Sequence, residues 1–235
     1  MSLIPRIGLI IPSSNRLAEP QFAHYAPAGV GTHATRLRMT GKFRKPWSEL
    51  KPQLAEAAAA LSDVKPGVIV FHCTANSMES GLAHEAAIVE TIQNASGCPT
   101  ITTAQALREA FSHFGIKKLV LVSPYVKATN EHEVEYLREA GFQVLHEHGL
   151  GLESDGYIAV TPAQWIDVVK GHTRADTDGY FLSCTNTRMI EAIDDLERDL
   201  GKPVVSSNQA TLWACLKRLG IGHVDRRLGR LFQAG

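Results

Sequence analysis

An α/β fold built from two similar lobes is predicted by three observations. Short apolar strand-like runs alternate with helical stretches along the chain, no long Gly/Ser/Pro linker separates the halves, and one strand-to-helix unit occurs twice. The repeated unit reads Val68-Ile-Val-Phe-His-Cys73-Thr74 in the first half and Gly179-Tyr-Phe-Leu-Ser-Cys184-Thr185 in the second. After a helical stretch each copy continues similarly, as Gly97-Cys98-Pro99-Thr-Ile-Thr-Thr-Ala-Gln-Ala and as Gly201-Lys-Pro203-Val-Val-Ser-Ser-Asn-Gln-Ala.

Taken in order, Ile4 to Ile11 is an apolar run ending in Pro12-Ser-Ser-Asn15, which fits a buried, central first strand followed by a turn and a helix N-terminus. Residues 31–39 alternate as a second strand, 40–47 form a loop, and the Ala-rich segment 48–62 is a helix. Strand 68–72, helix 79–95, strand 100–102 and helix 104–114 complete the first pass. The second pass gives strand 118–123, helix 128–140, strand 143–147, helix 161–169 with Pro162 in its first turn, strand 180–183, helix 188–200, strand 204–206 and helix 210–219. Such alternation implies right-handed βαβ crossovers. The expected fold is therefore two pseudo-symmetric Rossmann-like lobes with mostly parallel sheets and the active site in the cleft between them, at the carboxyl ends of the strands. Because residues 204–219 resemble 100–114, the chain is expected to cross between lobes twice, with 1–100 plus 205–235 in the first lobe and 101–204 in the second. The polar tail from Gly222 to Arg230 is read as either loosely ordered or packed on a partner subunit, so a homo-oligomer stays open.

Bulk composition narrows the function. With 235 residues the chain can bury a real core. Lys+Arg 24 balance Asp+Glu 24, which removes the electrostatic footprint of a nucleic-acid binder. Neither a signal peptide at Met1 to Gly8 nor a membrane-spanning apolar run is legible, so a soluble, cytoplasmic protein is expected, with no nucleic acid and no membrane as partner. Four cysteines without a C-x-x-C pair read as free thiols rather than a disulfide scaffold or zinc site. The histidines are scattered, and His132, His146 and His148 lie in polar stretches that read as exposed, so no metal is expected.

Both Cys73 and Cys184 fall where a strand hands over to a helix, a position whose unpaired N–H groups favour the thiolate. Cys98 and Cys215 lack the following Thr and read as packing residues. Small polar residues after each thiol, Thr74-Ala75-Asn-Ser77 and Thr185-Asn-Thr187, either cap helices or cradle a carboxylate. Ser14 and Asn15 offer further donors at the end of the first strand. The basic stretch from Arg36 to Lys45 is either a solvated loop or a cover over an anionic substrate. Gly-x-Gly-x-x-Gly is absent, which speaks against a dinucleotide, and no cofactor is expected.

The Pro12-Ser-Ser-Asn15 start with Glu19 nearby, the twin Cys-Thr strand ends, Val122-Ser-Pro-Tyr125 and Val205-Ser-Ser-Asn-Gln-Ala together resemble the aspartate/glutamate racemase superfamily. Within it the resemblance is to the branch of maleate cis-trans isomerases and arylmalonate decarboxylases, and it runs from Ile7 to about Leu219. It implies a cofactor-independent enzyme acting on a small carboxylate. Cys73 would be the nucleophile and Cys184 the acid/base partner, with Asn15 and Tyr125 binding carboxylates and Ser14, Thr74, Ala75 and Thr185 lining the substrate site. Decarboxylases of the branch have glycine at the first cysteine position, so Cys73 implies a two-thiol isomerase. The alternatives are a cofactor-free decarboxylase, a racemase using the thiols as base and acid, and a non-catalytic small-acid binding protein. One stretch departs from the isomerase pattern. Where an asparagine-rich segment is expected, this chain reads Leu152-Glu153-Ser154-Asp155-Gly156, and an acid there would repel a second carboxylate.

Overall fold

The structure, a computed structural model, describes residues 4–233. Met1 to Leu3, part of the stretch read above as carrying no leader, and the last two residues of the tail lie outside them. The first half runs β1 (Arg6–Pro12), α1 (Ala18–Tyr25), β2 (Gly31–Leu37), α2 (Trp47–Ser62), β3 (Val68–Phe71), α3 (Thr74–Met78), α4 (Gly81–Ser96), β4 (Thr100–Thr102) and α5 (Thr103–His113). The second runs β5 (Lys118–Ser123), α6 (Lys127–Glu139), β6 (Gln143–Gly149), α7 (Pro162–Gly171), β7 (Gly179–Leu182), α8 (Ile193–Leu200), β8 (Val204–Ser206) and α9 (Ser207–Arg218).

Among the described residues eight strands make two four-stranded sheets with the same order, β2-β1-β3-β4 and β6-β5-β7-β8, and every pairing is parallel. Strand periodicity distributes side chains to two layers. In β1, Ile7, Leu9 and Ile11 join the large core that runs through both halves, while Ile10 faces a second cluster under α2 and α4. Val68 and Val70 of β3 follow the first course, and Ile69 and Phe71 the second. Both of these strands are buried on both faces, which is why their runs are continuously apolar.

The halves are stitched by their last helices. α5 leaves the first sheet and packs on β8 and α9, with Phe111 edge-on to Phe181 and Phe142 at 5.5 and 5.3 Å. α9 leaves the second sheet and packs against β3 and α1. Both start with the same capping box, Thr102 with Gln105 and Ser206 with Gln209, each side chain bonding the other's backbone N–H.

Three expectations need correction. The helix expected over 79–95 is α4, but it starts only at Gly81, where the chain turns with φ of +77°, a conformation glycine adopts without a Cβ penalty, and a separate short helix, α3, precedes it. The 222–230 tail is not loose. Leu228, Leu231 and Phe232 are buried, Gln209 Nε2 donates to Leu228 O at 2.7 Å, and Glu197 Oε2 accepts from Arg230 N at 2.6 Å, so it packs on its own chain. His146 and His148 are half-buried rather than exposed, stacked with His172 at centroid distances of 5.0 and 3.8 Å. Among the described residues no helix is long and apolar enough to cross a membrane.

Candidate active site

The carboxyl ends of β1, β3, β5 and β7 converge on one cavity of about 170 Å³. That is smaller than the roughly 300–1,000 Å³ of pockets for drug-sized ligands, so the occupant is small. β1 delivers Ser14 and Asn15, β3 delivers Cys73 and Ala75, β5 delivers Tyr125, and β7 delivers Cys184 and Thr185. Seven of the eight residues singled out by sequence therefore line one space.

Thr74 is the exception. It is fully buried, and its hydroxyl donates to Ser207 Oγ at 2.8 Å. The same Ser207 oxygen accepts the Cys184 backbone N–H at 3.2 Å, so one hydroxyl at the start of α9 fastens both Cys-Thr strand ends. The neighbouring Asn208 continues the stitching. Its amide donates to Thr185 O at 3.1 Å and to Gln21 Oε1, and its carbonyl faces His72 Nε2 at 2.9 Å. Because Asn208 Oδ1 is an acceptor, His72 carries its proton on Nε2 and accepts at Nδ1 from Thr103, 2.9 Å away. Burial pushes its pKa down to about 3, so it stays neutral and acts as a bracket.

Asn15 is committed within the protein. Its Nδ2 donates to both the carbonyl and the hydroxyl of Thr185, at 3.1 and 3.0 Å, and its Oδ1 caps α1 through Leu17 N and Ala18 N. It ties the lobes together at the cavity wall. Tyr125 points its hydroxyl at the Cys184 sulfur and packs edge-on to Tyr157 at 5.6 Å. Gly149 makes room for this arrangement, since a Cβ there would collide with the Tyr125 carbonyl and the Asn130 amide.

Although the strand-to-helix setting favours the thiolate, burial outweighs it at both thiols. Burial pushes Cys73 up to about 12, partly offset by the Asn76 N–H, with nearby Cys184 and Glu133 adding to the rise. Cys184 is likewise pushed up to about 12 by burial, against hydrogen bonds from Tyr125 and the Asn186 N–H. The physical reason is that α3 spans five residues, too short for a large dipole, while both sulfurs are withdrawn from water. The Cys73 thiol donates to Asn76 Oδ1 at 3.1 Å. Behind the site, Glu133 is fully buried and pushed up to about 8 by desolvation. Its Oε1 accepts from Ser183 at 2.8 Å, and its Oε2 has no partner.

Cys184 carries a φ of +136°, in a region that glycine occupies at little cost and other residues at about 1–3 kcal/mol. The strain is held by the Ser207 bond, by Asn186 N on the sulfur at 3.3 Å and by Thr187 Oγ1 on the Cys184 carbonyl at 3.3 Å. Glycine at this position is therefore expected to give a more stable protein than alanine by about 1 kcal/mol, reversing the usual order of the two. Urea unfolding of Cys184→Gly and Cys184→Ala measures it.

Several lining residues escaped the sequence reading. Met39 arrives from the loop after β2, Glu79 from the end of α3, Thr129 and His132 from α6, and Tyr157 from a 3₁₀ turn, joining Thr40, Arg44 and Asn76 from stretches that were read. The basic stretch thus does reach the cavity, but through Arg44, which pairs with Glu79. Arg36 is occupied by the carbonyls of Ser13 and Asn15 and by Glu19, and Arg38 lies over the Phe43 ring at 5.0 Å. Asn76 lies one helical turn from Cys73, within the polar run already singled out after that thiol.

A family model described as arylmalonate decarboxylase matches residues 7–232 of the chain. The chain belongs to the arylmalonate decarboxylase family. Among curated relatives in this family, a maleate isomerase of Pseudomonas putida is 32% identical over 98% of each chain. An arylmalonate decarboxylase of Bordetella bronchiseptica is 28% identical, covering 97% of this chain and 96% of its own. A crystal structure of a maleate isomerase from Pseudomonas putida S16 with maleate superposes with a TM-score of 0.90 at 26% identity, over 98% of each chain. The family thus joins two activities on one scaffold, and the site must separate them.

Proposed function

We propose that this chain is a cofactor-independent cis-trans isomerase of a small unsaturated dicarboxylate-type acid, with Cys73 as nucleophile and Cys184 as acid and base. The observation that carries the reading is that both sulfurs line the same small cavity. The maleate isomerase relative at 32% identity supports the reaction class.

In the forward step the Cys73 thiolate forms a C–S bond to one olefinic carbon. The π electrons move into the adjacent carboxylate as an enediolate, and the Cys184 S–H protonates the other carbon. The former double bond is now single and rotates. Cys184 as thiolate then removes a proton, the double bond re-forms in the trans geometry, and the C–S pair returns to Cys73. Atoms and charge balance over the cycle. Ala75 lies in the first turn of α3, whose N–H groups have no intrahelical acceptor, and supplies a donor toward the developing enediolate, while the Asn76 N–H stays on the Cys73 sulfur. Ser14 and Thr185 supply hydroxyls on the same wall. Thiols that must stay reduced suit the cytoplasm, and all four cysteines are free.

Proton NMR of maleate incubated with the purified protein tests the reading by the appearance of fumarate; release of CO₂ from a malonate without isomerisation would place the chain on the decarboxylase side. The pH profile follows from the same site. Because burial holds both thiols near 12, the thiolate fraction and kcat/KM rise about tenfold per pH unit through neutrality. Near pH 8 Glu133 ionises, and its charge is one of the causes that raise both thiols, so the rise flattens there. A kcat/KM profile of the parent and of Glu133→Gln measures this, the variant continuing to climb where the parent levels off.

A further inference from the structure

The charges on the cavity wall do not suit a dianion. Among the described residues the lining holds one guanidinium, Arg44, and it is already paired with Glu79. Glu153 lines the same cavity and makes no ion pair or side-chain hydrogen bond with any described residue. The two acids of its loop are separated by the fold. Asp155 is turned to Arg16 at 2.9 Å, outside the cavity lining, while Glu153 stays on the wall close enough to Tyr157 to disfavour ionisation of its phenol. His132 is the remaining titratable side chain on the rim apart from the site's own thiols and tyrosines.

An unpaired carboxylate in a site for small acids does two things. It repels a second carboxylate on the substrate, by an amount that local dielectric and salt control, and it accepts a hydrogen bond from any N–H placed there. A carboxamide satisfies both conditions where a carboxylate satisfies neither. Ser154, also on the wall, adds a hydroxyl able to pair with the amide oxygen.

Resting on the isomerase reading above, we infer that the preferred substrate is the monoamide of a cis-unsaturated dicarboxylic acid rather than the diacid, with Glu153 accepting the amide N–H. The free carboxylate is left to the α3 side of the cavity, near Ala75 and Asn76, and the amide to the Glu153 side. Chemistry on the olefin is unchanged, since one carboxylate suffices to carry the enediolate. The reaction that supplies such a substrate must leave a cis-ene with one end amidated, and an amidase acting on the product would release the trans diacid.

The test compares isomerisation of maleamate and maleate in the same buffer, at one pH and one ionic strength. In the parent, kcat/KM for maleamate should exceed that for maleate by on the order of tenfold. Glu153→Gln should abolish that preference through KM, lowering it for maleate and raising it for maleamate. Added salt should lower KM for maleate in the parent but not in the variant. A parent that isomerises maleate as well as or better than maleamate, or a ratio that Glu153→Gln leaves unmoved, overturns this inference while leaving the isomerase intact. Failure to isomerise either compound overturns both.

Discussion

Replacing Cys73 by alanine is expected to lower kcat/KM for isomerisation by at least about 10³-fold, with the folded protein retained. The size of the effect follows from its place in the reaction: the C–S bond is what converts a rigid double bond into a rotating single one, and no other described nucleophile on the wall can replace it except Cys184 on the far side of the substrate. Stability should change little. Cys73 packs at the edge of the outer cluster beside Phe71 and Ile88, and truncating a thiol there costs about 1 kcal/mol or less. Steady-state kinetics together with thermal unfolding separate loss of chemistry from loss of fold. A small-acid binding protein without catalysis would show the same ligand-induced stabilisation in parent and variant, and no turnover in either.

The second large effect is at Cys184. Alanine there should also cost about 10³-fold or more in turnover, but by a different route, since addition at Cys73 remains chemically open while proton delivery and removal do not. A decarboxylase would behave otherwise, depending strongly on Cys184 and weakly on Cys73. Comparable losses at both positions, and no further loss in the double variant, mark two thiols acting as one unit.

Much of this architecture was legible because physics repeats itself in the chain. Continuous apolar runs such as Val68 to Phe71 announce strands covered on both faces, and the twin Cys-Thr ends announce that the halves are copies. Paired Thr102/Gln105 and Ser206/Gln209 boxes gave α5 and α9 their parallel starts. What stayed hidden depends on contacts remote in sequence. Thr74 reads equally well as a carboxylate ligand or as a partner for Ser207, and only the crossing of α9 between lobes decides for Ser207. Asn15 carries two donors and two lone-pair sites, and nothing local reveals that Thr185 and the N-terminus of α1 use them. The ionisation of the thiols stays hidden for a related reason. A strand-to-helix junction is visible in sequence, whereas the burial that outweighs its field comes from residues on four separate strands. Arg44, Glu79 and Tyr157 sit on irregular turns, for which periodicity carries no signal.

The strained backbone at Cys184 and the orphaned oxygen of Glu133 lie back to back, with Ser183 between them. Both are costs to stability gathered at the thiol proposed as acid and base, where a single orientation would be needed. Their concentration there sets Cys184 apart from Cys98 and Cys215.

The most direct measurement is peptide mapping by mass spectrometry after incubating Cys184→Ser with substrate. With the nucleophile intact and the proton shuttle disabled, the account predicts a covalent adduct carried by the peptide containing Cys73, with the mass of one substrate molecule. An unmodified Cys73 alongside an isomerising parent, or an adduct placed on Cys98 or Cys215, would contradict it.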